Sequence, residues 1–248
     1  MTSQPLRYPV PWDLVFSLSR HIAQRTRRDV DDFSAAVVAR MQPPPEYRGL
    51  DRLPADPCYL LVANHYQRPG MWILHPASAI TQAVRQRVGP GNPPVHWVVT
   101  ANWPPIRLGP WRIPSPGDVL LPRVAYALHC YAVSFARHNP GFTASSIRRL
   151  LKDAPHLNRP IGLFPEGVAG AAGRLTEPLP GVERLIVKLR RPAVPVAISE
   201  TDRLVLSFGE PVSVDELAAS SHAARLLMER IASLLLPQPA RGLPGDGR

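Results

Sequence analysis

Short, almost wholly apolar runs recur along this chain between longer stretches of helical spacing. Residues 58–63 (CYLLVA), 95–100 (VHWVVT), 131–135, 160–164, 193–198 and 204–208 form these runs. Such lengths, bounded by Pro, Gly and Asn, predict strands. Strands apolar on both faces belong to a parallel sheet covered on both sides. Between them the spacing predicts helices over residues 71–88, 143–151, 182–189, 214–217 and 223–236. The alternation predicts an α/β fold with a mostly parallel central sheet flanked by helices. Residues 104–122 are dense in Pro and Gly and are expected to be largely loop.

Ahead of this alternation, Leu14, Val15, Leu18 and Ile22 recur near helical spacing. A second short helix is expected after Asp31-Asp32, with Phe33, Ala36 and Val37 on its apolar side. Met41-Gln42-Pro43-Pro44-Pro45 then forms a stiff connector. The expected organisation is an N-terminal helical segment with its Pro-rich connector (1–45), an α/β domain (46–238) and a flexible tail (239–248).

Composition adds three constraints. With 248 residues and 45% hydrophobic content the chain can bury a core of ordinary size. Its formal net charge is +10, and of the 29 basic residues all but Lys152 and Lys188 are arginine. A GC-rich coding bias explains part of the arginine content; the net excess suits an anionic partner such as a lipid headgroup. The arginines are spread along the chain, without a recognition helix or aromatic–basic motif, so no specific nucleic-acid partner is expected. Cys58 and Cys130 each sit in an apolar context and are expected to be buried free thiols. No Cys-x-x-Cys and no Cys/His grouping with zinc spacing occurs, so no metal site is expected.

No run approaches the ~18 apolar residues of a membrane span, and the start lacks a signal peptide's pattern. A membrane would therefore be met from its surface. Residues 11–28 place Trp12, Leu14, Val15, Phe16 and Leu18 beside Arg20, Arg25, Arg27 and Arg28. That pattern suits an interfacial helix on an anionic membrane, and equally a helix whose apolar residues pack on the domain. The expected location is the cytoplasm, peripheral on the inner face of the membrane.

Ligands of parallel sheets bind beyond the carboxyl ends of the strands, and two strand ends here carry candidate chemistry. Residues 58–63 deliver Asn64-His65. A histidine in that place suits a general base, and is also what a loop satisfied by its own backbone would contain. Residues 160–164 deliver Phe164-Pro165-Glu166-Gly167, in which Pro fixes the backbone, Gly permits close approach and Glu is presented at the mouth.

In order and spacing these blocks resemble the lysophospholipid (PlsC-like) acyltransferase family, from about residue 56 to about residue 214. Asn64-His65 matches the start of the family's NHxxxxD block. Phe135-Ala136-Arg137 stands where its second block ends in arginine, and Phe164-Pro165-Glu166-Gly167 matches its FPEG block. Leu175 through Gly181 resembles the stretch that follows, Val194-Pro195-Val196 the fourth block, and Gly209-Glu210-Pro211 the GxP ending. The resemblance implies a glycerol-3-phosphate acyltransferase-like fold. It also implies acyl transfer from acyl-CoA or acyl carrier protein, as co-substrate and without a further cofactor, to the hydroxyl of a lysophospholipid or related glycerolipid. On that basis His65 would be the base. Asn64, Arg137, Phe164, Pro165, Glu166, Gly167 and Arg174 would be substrate-binding residues.

Two positions depart from the pattern. Gly70 occupies the place of the aspartate that serves the histidine, and Val168-Ala169-Gly170 replaces the Thr-Arg-Ser that often follows FPEG, leaving Arg174 as the nearest following arginine. The alternative implied is a relative that binds lipid or acyl chains without turnover.

Overall fold

The structure, a computed structural model, describes residues 6–27, 30–89, 95–100, 106–108, 111–113, 117–133, 140–167 and 174–237. Two helices come first, α1 (Trp12–Gln24) and α2 (Val30–Val38). The strands are β1 (Glu46–Arg48), β2 (Leu60–Ala63), β3 (His96–Thr100), β4 (Ile106–Leu108), β5 (Trp111–Ile113), β6 (Tyr131–Val133), β7 (Ile161–Leu163), β8 (Ala193–Glu200) and β9 (Leu204–Phe208). The remaining helices are α3 (Leu74–Val88), α4 (Gly117–Ala127), α5 (Pro140–Asp153), α6 (Val182–Leu189), α7 (Val214–Ala219) and α8 (Ala223–Leu234).

Seven strands form one sheet in the order β1-β9-β8-β2-β7-β3-β6. Its pairs are parallel except β8 with β9, which are antiparallel. Alternate residues of β2 enter different cores. Leu61 and Ala63 join Phe33 and Val37 of α2 and Ile80, Ala83 and Val84 of α3 on one face. Leu60 and Val62 join Leu150 of α5, Leu185 and Ile186 of α6, and Leu227 and Ile231 of α8 on the other. This two-sided burial is why the strand reads as continuously apolar. The expected α/β sandwich with an N-terminal helical segment is the architecture found.

The Pro/Gly-rich stretch 104–122 departs from expectation. It contains the antiparallel pair β4–β5 and the first half of α4, with Pro122 inside the helix. Proline density argued against regular structure, yet one proline costs a helix only a single hydrogen bond and its neighbours can hold the turn. The edge strand β1 was also absent from the sequence expectations. It pairs in register with β9 but has only three residues, too few to show a period. The expected flexible tail, 239–248, lies outside the described residues.

The helix α1 packs on the domain through only part of its apolar side. Leu18 is buried and Leu14 packs on the core, while Trp12 and Phe16 are 57% and 71% exposed. Among the described residues no helix is long and apolar enough to cross a membrane.

Candidate active site at the carboxyl ends of β2 and β7

β2 and β7 are neighbours, with Val62 beside Leu163, so the segments leaving their carboxyl ends emerge side by side. This brings Asn64-His65 next to Phe164-Pro165-Glu166-Gly167, a hundred residues on in the chain. Asn64 is buried, and its side chain continues the ladder to β8: Nδ2 donates to the Ile198 carbonyl at 3.1 Å, and Oδ1 accepts from the Ile198 N–H at 2.7 Å. Both ends of this amide are thereby engaged in fixing the backbone from which His65 projects.

Glu166 is 1% exposed and has three donors. Its Oε1 accepts the backbone N–H of His65 at 2.7 Å. Its Oε2 accepts the N–H of Thr176 at 2.6 Å and the Thr176 hydroxyl at 2.9 Å. The carboxylate therefore ties three segments together and reaches the main chain of His65, not the imidazole. Charge-assisted bonds of this kind stabilise a buried carboxylate.

The loop is locked from above as well. The Leu179 N–H donates to the Pro165 carbonyl at 2.8 Å, and that of Gly167 to the Phe164 carbonyl at 3.1 Å. Gly167 has φ +67°, and a Cβ there would stand 2.1 Å from Leu179 Cδ1. Any other residue would both strain the backbone and displace the strap formed by residues 174–181. The family-like stretch from Leu175 to Gly181 is thus a cover for the FPEG turn.

The His65 imidazole is half-buried, and its edge meets Phe164 with ring centroids 5.5 Å apart. Phe164 in turn stacks on Trp97 at 5.0 Å and 9°. Room for Trp97 comes from Gly162 of β7, where a Cβ would lie 2.5 Å from the indole. Trp97 is anchored by its Nε1–H donating to Thr81 Oγ1 at 3.1 Å. Burial lowers the His65 pKa, so the ring is neutral at neutral pH. Its Nδ1 is buried and has no hydrogen-bond partner among the described residues.

The position where an aspartate might have served that nitrogen is the corner of a turn. The Met71 N–H donates to the Arg68 carbonyl at 2.9 Å, and Gly70, after Pro69, has φ +82°. Pro followed by a left-handed glycine is the signature of a type II turn. Of the other predicted site residues, Arg174 is exposed. Arg137, together with Phe135 and Ala136 and with Val168-Ala169-Gly170, lies outside the described residues.

Sequence reasoning missed a second polar cluster at the same end of the sheet. Glu200, the last residue of β8, is fully buried. It accepts from the hydroxyls of Tyr8 and Tyr66, each at 3.0 Å, and from Arg68 Nε and Nη2 at 2.5–2.8 Å. Burial pushes its pKa up, but the bonds and charge of Arg68 outweigh this and hold the carboxyl below its ordinary value. Burial foremost, and then Glu200, raise the pKa of Tyr8. The one available signal was a Glu closing an apolar strand, since such a charge must find partners. The cluster pins the turn that carries Gly70, because Arg68 also donates to the Pro69 carbonyl at 2.8 Å.

No protein-family model matches the chain, and no curated protein matches it in sequence. Among solved structures it is similar to the crystal structure of the 1-acyl-sn-glycerophosphate (LPA) acyltransferase PlsC from Thermotoga maritima. The identity is 14%, the match covers 90% of this chain and 81% of that one, and the TM-score is 0.53. At that identity the likeness is one of fold: this chain has the fold of a PlsC-like acyltransferase.

Proposed function

We propose that the chain is an acyltransferase that moves an acyl group from a thioester, acyl-CoA or acyl carrier protein, to a hydroxyl of a lysophospholipid or related glycerolipid. The observation carrying this reading is His65, neutral and half-buried at the carboxyl end of β2, with its backbone fixed by Glu166 from the neighbouring FPEG turn. Because Nδ1 is buried, Nε2 is the nitrogen assigned to the substrate. It takes the proton of the acceptor hydroxyl as that oxygen attacks the thioester carbonyl. The tetrahedral intermediate collapses with loss of the thiolate, which recovers the proton from the imidazolium. Products are the ester and the free thiol. Arg137 and Arg174 are the cations proposed for the acceptor's phosphate, and Phe164, against the His65 ring, is proposed to border the acceptor. The test is transfer of labelled acyl chains from acyl-CoA to lysophosphatidic acid by the purified protein, with His65→Ala as control.

A second reading, lipid binding without turnover, draws on Gly70 and on the Nδ1 of His65, which has no hydrogen-bond partner among the described residues. In a serine-protease triad, losing the carboxylate behind the histidine costs about 10⁴ in turnover. Binding of lysolipid with transfer no faster than the His65→Ala control would favour it.

The protein is further proposed to work on an anionic membrane surface. Trp12 and Phe16 are one turn apart on the outer side of α1, and the adjacent α4 exposes Leu120 and Tyr126, 45% and 42%. Arg20, Arg25 and Arg27 border this patch in sequence. An aromatic face edged by cations suits insertion at the headgroup level.

A further inference from the structure

At the opposite end of the sheet from His65 the chain forms a cavity of about 300 Å³, with Arg27, His96, His129, Tyr131, Arg149 and Asp153 among its walls. His96 opens β3 and Tyr131 opens β6, so these strands contribute their amino ends. Ile161 is in register with both His96 and Leu60, which places His96 level with a residue five positions before His65. At the usual strand rise that is about 16 Å from the candidate active site.

The walls are rich in donors. Arg159 Nη1 donates to His96 Nε2 at 2.8 Å. A guanidinium cannot accept, so Nε2 supplies the lone pair and the proton of the neutral ring sits on Nδ1. That Nδ1 is buried without a partner among the described residues, on a residue only 8% exposed. Burial first, then the charges of Arg159, His129 and Arg27, hold the ring neutral by pushing its pKa down to about 3. Arg27 lies over the Tyr126 ring at 5.0 Å, and Arg149 over the Tyr131 ring at 5.9 Å. Among the lining residues the one carboxylate is Asp153, which accepts from the Tyr131 hydroxyl at 2.9 Å and stands 3.6 Å from Arg149. Among the lining arginines and carboxylate, positive charge therefore exceeds negative by one, and an apolar or cationic occupant would leave that excess and the His96 Nδ1–H unmatched.

We propose that this cavity binds a phosphate group, borne by a free small molecule or by a lipid headgroup. Two guanidiniums, Arg27 and Arg149, line the cavity against the single carboxylate of Asp153, and a phosphate offers both the negative charge and the several acceptor oxygens such walls suit. Tyr126, a wall residue that is 42% exposed, belongs also to the aromatic patch of α1 and α4, so a headgroup has a route to the site from a bilayer.

Calorimetric titration of the full chain with inorganic phosphate, and separately with monomeric dihexanoyl phosphatidic acid, tests the proposal. Sodium acetate at matched ionic strength is the control. Saturable binding of a phosphate probe but not of acetate is expected. Arg149→Gln, at a side chain 60% exposed and so harmless to the fold, is expected to weaken it about tenfold. Arg27→Gln acts likewise, and Arg230→Gln, at an exposed arginine of α8 that does not line the cavity, leaves binding unchanged. Binding of both probes assigns a site open to free phosphate; binding of the lipid alone assigns a headgroup site. Absence of saturable binding by either probe overturns the proposal. So does binding that survives both arginine substitutions or disappears with Arg230→Gln.

Discussion

Gly70 sits five positions after His65, at the positive-φ corner of a turn that Arg68 and Glu200 hold in place. An aspartate there would have to adopt φ near +82°, which aspartate tolerates at a cost of about 1 kcal/mol. Its Cβ would lie 3.7 Å from Arg68 Nη1, the nearest atom. Gly70→Asp is therefore expected to fold, to lose about 2–4 °C in melting temperature, and to gain no transfer rate, because Arg68 captures the carboxylate. Transfer appearing only in that variant would favour the reading of a chain that binds without turnover. The ring of His65 makes a second prediction. Its pKa is lowered by burial, and only the neutral form accepts a proton. The kcat/KM for transfer should rise with pH through a midpoint below the ordinary 6.5 of histidine and be level by neutrality; a midpoint above that value would mean a carboxylate sits against the ring. The residue types of this site were legible in sequence, since Asn64-His65 and Phe164 to Gly167 stood out at strand ends. What they touch was not, because Glu166 is held by the N–H groups of His65 and Thr176 and by the Thr176 hydroxyl, and because the partners of Glu200 come from residues 8, 66 and 68.

Helix α1 shows how far an element can be read from spacing alone. Its apolar residues were evident, but which of them turn inward depends on α4, an element hidden under a Pro-rich stretch. Leu18 faces protein while Trp12 and Phe16 face outward. Replacing both aromatic residues by Ala should leave the fold intact and cut sedimentation with vesicles of mixed phosphatidylglycerol and phosphatidylcholine by at least about tenfold, since each ring transfers about 1.5–3 kcal/mol of apolar surface. Unchanged sedimentation would remove this face from any membrane role. The central strands, in contrast, were legible to within about two residues, because burial on both faces makes β2, β7 and β9 read as nearly continuous apolar runs, whereas the three-residue strands β1, β4 and β5 carry no such signal.

At the scale of the whole molecule, burial of three histidines links stability to pH. His65, His75 and His96 all have pKa values lowered chiefly by desolvation, that of His96 to about 3. The unfolded chain takes up these protons near pH 6.5, whereas the folded chain does so at lower pH, for His96 only at about 3. Their contribution is complete above about pH 6.5 and is lost as pH falls toward 3, where Glu200, held low by Arg68, loses its own. Melting temperature should therefore be nearly level above about pH 6.5 and fall from there toward about pH 4; a flat profile across that lower range would contradict neutral burial of these rings. The central claim is that His65, braced through its backbone by Glu166, abstracts the acceptor proton. The most direct measurement is the rate of labelled acyl transfer from acyl-CoA to lysophosphatidic acid by the purified chain and its His65→Ala variant. The account predicts measurable transfer by the parent chain and a loss of at least about a hundredfold in the variant. Equal rates in the two proteins, or transfer by neither, would contradict it.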